Sequence, residues 1–139
     1  MGNFTEIEHT ADYALRVWGI DYADLLQSAG EGLIYLLLTG EQAAPVQWAE
    51  YVVEAPDPAA LLQRALREVL HQAQEGRAPV TFEVLEASQE PPRARCRIGL
   101  AAADQSHDLL HRDLKAVTYH DLAIRREQER LTVTLTFDT

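Results

Sequence analysis

Two carboxylates stand side by side at the end of this sequence: the Asp138 side chain, then the α-carboxylate that Thr139 contributes if the chain ends there. The run from Thr132 to Phe137 alternates polar and apolar residues, the period of a half-buried strand. A strand that carries the last residue holds both carboxylates in place. Fixed hard oxygen donors repel one another unless a cation or a basic group lies between them. A functional site is therefore expected first at this end of the sequence.

Three other places hold residues that could take part. His9-Thr-Ala-Asp12 is a short polar turn between apolar runs. Its aspartate is either a turn former bonded to its own backbone or a metal carboxylate completed from elsewhere in the chain. Lys115-Ala-Val-Thr-Tyr-His120 opens a strand, with Lys115, Val117 and Tyr119 on one face and Ala116, Thr118 and His120 on the other. A lysine and a histidine beside carboxylates could serve as charge partners or proton-transfer groups, although an ordinary solvated strand end has the same pattern. His107, Asp108, His111 and Asp113 lie in a long polar loop; taken with His120 and Asp121 they offer zinc ligands by type, but no ligand spacing sets them on one face.

Arg93, Arg95 and Arg97 alternate with Ala94, Cys96 and Ile98. The arginines form either a solvated face or a basic row for an acidic partner. Cys96 reads as a small buried hydrophobe. No internal disulfide can form from a single cysteine. No phosphate-cradling glycine loop and no nucleophile elbow is present.

These residues need elements to hold them. Phe4 to Glu8 and Tyr13 to Trp18 read as strands. Asp21 reads as an N-cap before a helix whose stripe is Leu25, Leu26, Ala29, Leu33, Leu36 and Leu37, running up to Gly40. Val46 to Ala55 reads as a strand with Trp48 as its apolar anchor. Asp57 followed by Pro58 opens a second helix, with the stripe Leu61, Leu62, Ala65, Leu66, Val69 and Leu70, and Gly76 closes it. Strands follow over 80–87, 94–102, 116–125 and 131–137, with turns at 89–92 and 126–129. Helices early and strands late predict an α+β fold: one domain over 1–139, with two helices packed on a mixed or antiparallel sheet.

Composition excludes several classes. Twelve basic residues against twenty-two acidic ones give a net charge of −10. Such a chain repels phosphate backbones, so autonomous nucleic-acid binding is not expected and a protein partner is. The longest apolar run, Leu33 to Leu38, is too short for a bilayer, and no basic n-region opens the sequence. The expectation is a soluble, cytoplasmic protein without a membrane role.

Glu8-His-Thr-Ala-Asp12, Lys115-Ala-Val-Thr-Tyr-His120 and a strand closing in Phe137-Asp138-Thr139 occur in that order, and together they resemble the archease family. The resemblance spans the chain, including the helix opened by Asp57-Pro58. It implies a non-enzymatic activator of the RtcB-type RNA ligase, which joins RNA ends in tRNA splicing and RNA repair. That ligase works through a guanylylated histidine and manganese, and archease helps it load nucleotide and turn over repeatedly. The family has also been described as a chaperone-like modulator of a tRNA cytosine methyltransferase. The resemblance further implies a divalent cation, taken as calcium with manganese or magnesium as alternatives, held by Asp12, Asp138 and Thr139. His9, Lys115 and His120 are then the supporting or partner-facing residues. Thr139 departs from the branched aliphatic residue usual at that place, but the oxygens it offers belong to the main chain. A metal-dependent hydrolase using Asp12, Asp138 and His120 is the enzymatic alternative, and it lacks a nucleophile and a complete ligand set.

Overall fold

The computed structural model describes residues 3–7, 13–40, 43–118 and 122–139. Eleven elements follow one another: β1 (Phe4–Ile7), β2 (Tyr13–Gly19), α1 (Tyr22–Leu37), β3 (Gln47–Glu54), α2 (Pro58–Gln74), β4 (Pro79–Gln89), β5 (Pro92–Leu100), α3 (Ala103–Leu109), β6 (Ala116–Val117), β7 (Arg125–Glu127) and β8 (Arg130–Asp138). The strands form two antiparallel sheets. One runs β1-β2-β8-β6, with β7 also pairing β8; the other runs β3-β5-β4. The expected α+β class stands, as does the antiparallel pairing.

Both long helices start where local chemistry says they should. The Asp21 side chain accepts the Asp24 N–H at 2.9 Å, and Asp57 accepts that of Ala60 at 2.8 Å. Each bond satisfies a donor that a helix N-terminus would leave open. Pro58 sits in the first turn, where its missing N–H costs nothing. Gly76 follows the end of α2 at φ 85°, a conformation that side chains with a Cβ avoid. Every residue of the two expected apolar stripes is buried.

Those stripes join the two sheets. Helix α1 touches β2 of the larger sheet and β4 of the smaller; α2 touches β3 and β5 of the smaller and β6 of the larger. A single cluster thus contains Leu15, Val17, Leu135 and Phe137 from one sheet, Phe82, Cys96 and Ile98 from the other, and the leucines of both helices.

Four expectations are corrected. The stretch expected to be a polar loop around His107 and Asp108 is helix α3. Buried Ser106 fixes it: its Oγ accepts the Ala78 N–H at 2.9 Å and donates to Ala102 O at 3.0 Å. Among the described residues there are accordingly three helices, and two sheets rather than one. Of the strand expected over 116–125, only Ala116–Val117 (β6) and Arg125, which opens β7, are strand among the described residues, both on the side of β8 away from β2; residues 119–121 lie outside the described residues. Trp48 does not anchor the core: it lies on the outer face of β3, 39% exposed. Its ring covers Gly99, where a Cβ would come within 3.1 Å of it, and the Arg97 guanidinium sits 4.0 Å from the ring centroid.

Candidate functional site

Strand β8 is where the separated sequence signals meet. Its inward row is Leu131, Val133, Leu135 and Phe137, all buried, and its last residue Asp138 is exposed. On one side Tyr13 pairs with Phe137; on the other Ala116 pairs with Asp138 and Val117 with Phe137. Lys115 donates its backbone N–H to the Asp138 carbonyl at 2.8 Å, and Thr118 donates to Thr136 O at 2.9 Å. The end of β8 is therefore held between the start of β2 and the Lys115–Thr118 run.

The segment before β6 is fastened to two helix ends. The last carbonyls of an α-helix have no intrahelical partner. Here His111 N and Arg112 N reach Leu37 O of α1 at 2.7 and 3.4 Å, and Arg112 Nη1 reaches Leu36 O at 3.3 Å. A guanidinium there also complements the negative end of the helix dipole. From α2, Gln74 Nε2 donates to Leu114 O at 3.4 Å and Lys115 O at 3.0 Å. The Arg112 guanidinium then lies over the Tyr13 ring, 4.5 Å from its centroid. One arginine thus links the end of α1 to the start of β2.

Tyr13, His111, Arg112, Asp113, Lys115 and Thr139 surround an open cavity of about 500 Å³. Its charged lining is mixed, with Arg112 and Lys115 set against Asp113. Of the expected site residues, Lys115 and Thr139 line it, and Asp138 adjoins it through the strand. His9, Asp12 and His120 lie outside the described residues. Tyr13, His111, Arg112 and Asp113 are the cavity residues that sequence reasoning did not assign here; the register of β2 on β8 brings in Tyr13, and the bonds of His111 and Arg112 to the end of α1 place the segment that carries the other three.

The zinc alternative gains no support. His107 and Asp108 are on α3, His111 and Asp113 are in the following segment, and His120 and Asp121 lie outside the described residues. Among the described residues no group of three or more His, Cys, Asp or Glu is placed to hold a metal ion. The arginine row does share one face, as expected, but two of its three members are already paired. Arg95 pairs with Glu50 at 3.2 Å and Glu86 at 3.5 Å, and Arg97 with Glu83 at 2.8 Å. Cys96 is fully buried, and that burial pushes its thiol up to about 11. It is no nucleophile at neutral pH. No helix among the described residues is long and apolar enough to cross a membrane.

Two antiparallel sheets joined by two helices, with a C-terminal strand exposing an acid at its end, define the class of protein. The same architecture occurs in the solution structure of Methanobacterium thermoautotrophicum protein 1598, with TM-score 0.80, 16% identity and full coverage of both chains. It occurs also in the crystal structure of an archease, possible chaperone, from Thermotoga maritima, with TM-score 0.66, 21% identity and coverage of 96% and 94%. Residues 4–139 match the archease protein family (MTH1598/TM1083). Protein archease of Methanopyrus kandleri is 34% identical over 127 residues, covering 90% of this chain and 91% of that one. Protein archease of Thermococcus kodakarensis is 28% identical over 131 residues, covering 91% and 90%. The chain belongs to the archease family.

Proposed function

We propose that this protein is a non-catalytic activator of an RtcB-type RNA ligase in tRNA splicing and RNA repair, acting through its C-terminal carboxylates. The observation that carries the reading is the anchorage of β8. The backbone of Asp138 is tied to Lys115, while its side chain and Thr139 stay exposed. A charged tip on a rigid strand can enter a partner's active site without first losing the entropy of a free tail.

The donor chemistry fits a hard divalent cation such as calcium. Asp138 and the Thr139 carboxylate offer oxygen ligands with open access, and such a cation accepts six to eight. Asp12 is the third ligand in this proposal. It precedes Tyr13 in the chain, and Tyr13 pairs with Phe137, the residue before Asp138. A bound cation would supply a Lewis-acidic centre for phosphate oxygens. Lys115 in the cavity wall, with His9 and His120, is proposed to face the partner.

The test is RNA ligation by the cognate ligase under single- and multiple-turnover conditions, with wild type and with Asp138→Ala. Stimulation that the variant loses supports the reading. If the folded wild type gives no stimulation, the reading fails. The second reading, a chaperone-like modulator of a tRNA methyltransferase, draws on the description of the Thermotoga relative as a possible chaperone. It draws also on the exposed apolar side chains Ile20, Tyr35, Val46, Trp48 and Val52. That activity would survive Asp138→Ala.

A further inference from the structure

The two edges of the smaller sheet are treated differently. At β4, Gln27 of α1 imitates a neighbouring strand: its Nε2 donates to Phe82 O at 2.6 Å and its Oε1 accepts the Val84 N–H at 2.8 Å. The other edge, β3, has no such cover. Ala55 N donates to Pro92 O at 3.2 Å, and the register runs from Gln47↔Leu100 to Glu54↔Arg93. The bonded pairs with β5 therefore fall at the odd positions 49, 51 and 53, in the alternation of an antiparallel ladder. The N–H and C=O groups of Trp48, Glu50 and Val52 point away from β5, and none has a partner among the described residues.

The open window is bounded. At one end Arg64 Nη1 occupies Glu54 O at 2.7 Å. At the other, the Val46 N–H is used by Leu100 O at 2.8 Å. Between them the outer side chains read apolar, acidic, apolar: Trp48, Glu50 and Val52, the last 49% exposed. An unpaired edge of this kind is a template for another strand.

We propose that this edge docks an extended segment of a different protein, one with a basic residue opposite Glu50 and an apolar residue two positions to either side of it. Charge selects the occupant. Glu50 stands at the centre of the window; Arg95 pairs with it at 3.2 Å but is shared with Glu86 at 3.5 Å, so two carboxylates face one guanidinium and an excess negative charge remains there. A second copy is disfavoured by the same residue. A two-fold antiparallel pairing that uses the whole window sets Glu50 directly against its own copy, and like charges so placed repel. Sliding the register either way meets Glu54 O or Val46 N–H, which are already bonded. The surface lies on β3, in the sheet that does not contain Asp138, and does not depend on the C-terminal site.

The probe is the capped peptide Thr-Val-Thr-Lys-Thr-Val-Thr, with a control in which glutamate replaces lysine. It is titrated at millimolar concentration into isotope-labelled protein while backbone amides are followed. The expected result is slowed exchange of the Trp48, Glu50 and Val52 amides with the lysine peptide. Swapping lysine for glutamate should weaken binding roughly fivefold, the swing between a favourable and an unfavourable cross-strand pair. Glu50→Lys, an exposed position, should reverse the preference. Equal affinity for the two peptides, protection at other amides, or slowed exchange without peptide accompanied by dimerisation in sedimentation would each overturn the proposal.

Discussion

Lys115 reaches Asp138 through its backbone, N–H to carbonyl across 2.8 Å, while its side chain faces the cavity that Thr139 also lines. One residue therefore has two separable roles: its main chain fixes the strand end and its ammonium sets the local charge. Lys115→Ala keeps the first and removes the second, so unfolding free energy should stay within about 0.5 kcal/mol of wild type. Lys115→Pro removes the donor and should cost about 0.5–1.5 kcal/mol. Urea denaturation of both variants checks this. On the proposed function, a ligation assay should find alanine impaired without loss of stability.

Asp138→Ala should likewise be nearly silent in stability. The side chain is exposed, and the strand bond at this position uses the main chain. The expected change is within about 0.5 kcal/mol. On the proposed function, stimulation of ligation should nevertheless disappear. On the same proposal, which takes Thr139 as the last residue, a C-terminal tag should impair that activity and an N-terminal tag should not, because only the former would displace the carboxylate of Thr139. Equal activity of the two tagged proteins would remove Thr139 from the site.

The Gln27 amide closes the β4 edge with one donor and one acceptor. Gln27→Ala leaves the Phe82 carbonyl and the Val84 amide without their partner and should cost about 1–3 kcal/mol. Gln27→Glu should not restore stability fully. A carboxylate can accept from the Val84 N–H, but it sets a second acceptor against the Phe82 carbonyl. Denaturant midpoints for the three proteins should rank glutamine, glutamate, alanine.

Cys96 gives a pH dependence with a definite sign. Burial pushes its thiol up to about 11, with the Tyr51 hydrogen bond acting in the opposite direction. An unfolded thiol titrates near 8.5, so above that pH the folded chain keeps a proton that the unfolded chain has lost. The contribution is fully present below about pH 8.5 and is lost as pH rises through about 11. Tyr22 and Tyr51, also raised by burial, add the same sign at higher pH, so the interval just above 8.5 isolates the cysteine. Unfolding free energy should fall between pH 8.5 and 10 in wild type and stay flatter in Cys96→Ala, whatever its absolute stability.

Local signals were legible where the deciding chemistry was local. Asp21, Asp57-Pro58 and Gly76 mark helix ends through bonds within a few residues, and the leucine stripes of α1 and α2 follow the helical period. The strand alternation before Asp138 is equally local. Helix α3 was not legible: it has seven residues, its N-cap Ala102 makes no side-chain bond, and its tie to Ala78 spans 28 residues. The same holds for the candidate site. The sequence names Lys115, Asp138 and Thr139, but their meeting is set by the register of β6 on β8. The place of Arg112 over Tyr13 is set by the end of α1. Strand register likewise set Arg95 and Arg97 of the arginine row against carboxylates, since Glu50, Glu83 and Glu86 come from the strands on either side.

The tightest of these non-local constraints joins Gly30 of α1 to Phe82 of β4. A Cβ on Gly30 would lie 2.1 Å from the Phe82 ring, which is itself buried. The glycine thus sets how closely the helix approaches the smaller sheet, and with it how Gln27, one turn earlier, reaches the β4 edge. Gly30→Ala raises helix propensity by about 1 kcal/mol at an ordinary position. Here the collision should outweigh that gain, because overpacking a filled core costs about 1–3 kcal/mol or more. Phe82→Leu alone should also destabilise, by loss of buried ring area. The double variant should be more stable than the sum of the two single effects requires, since the smaller side chain makes room for the new methyl. A double-mutant cycle by urea unfolding measures that coupling. Strict additivity would mean that Gly30 and Phe82 do not set the helix–sheet spacing.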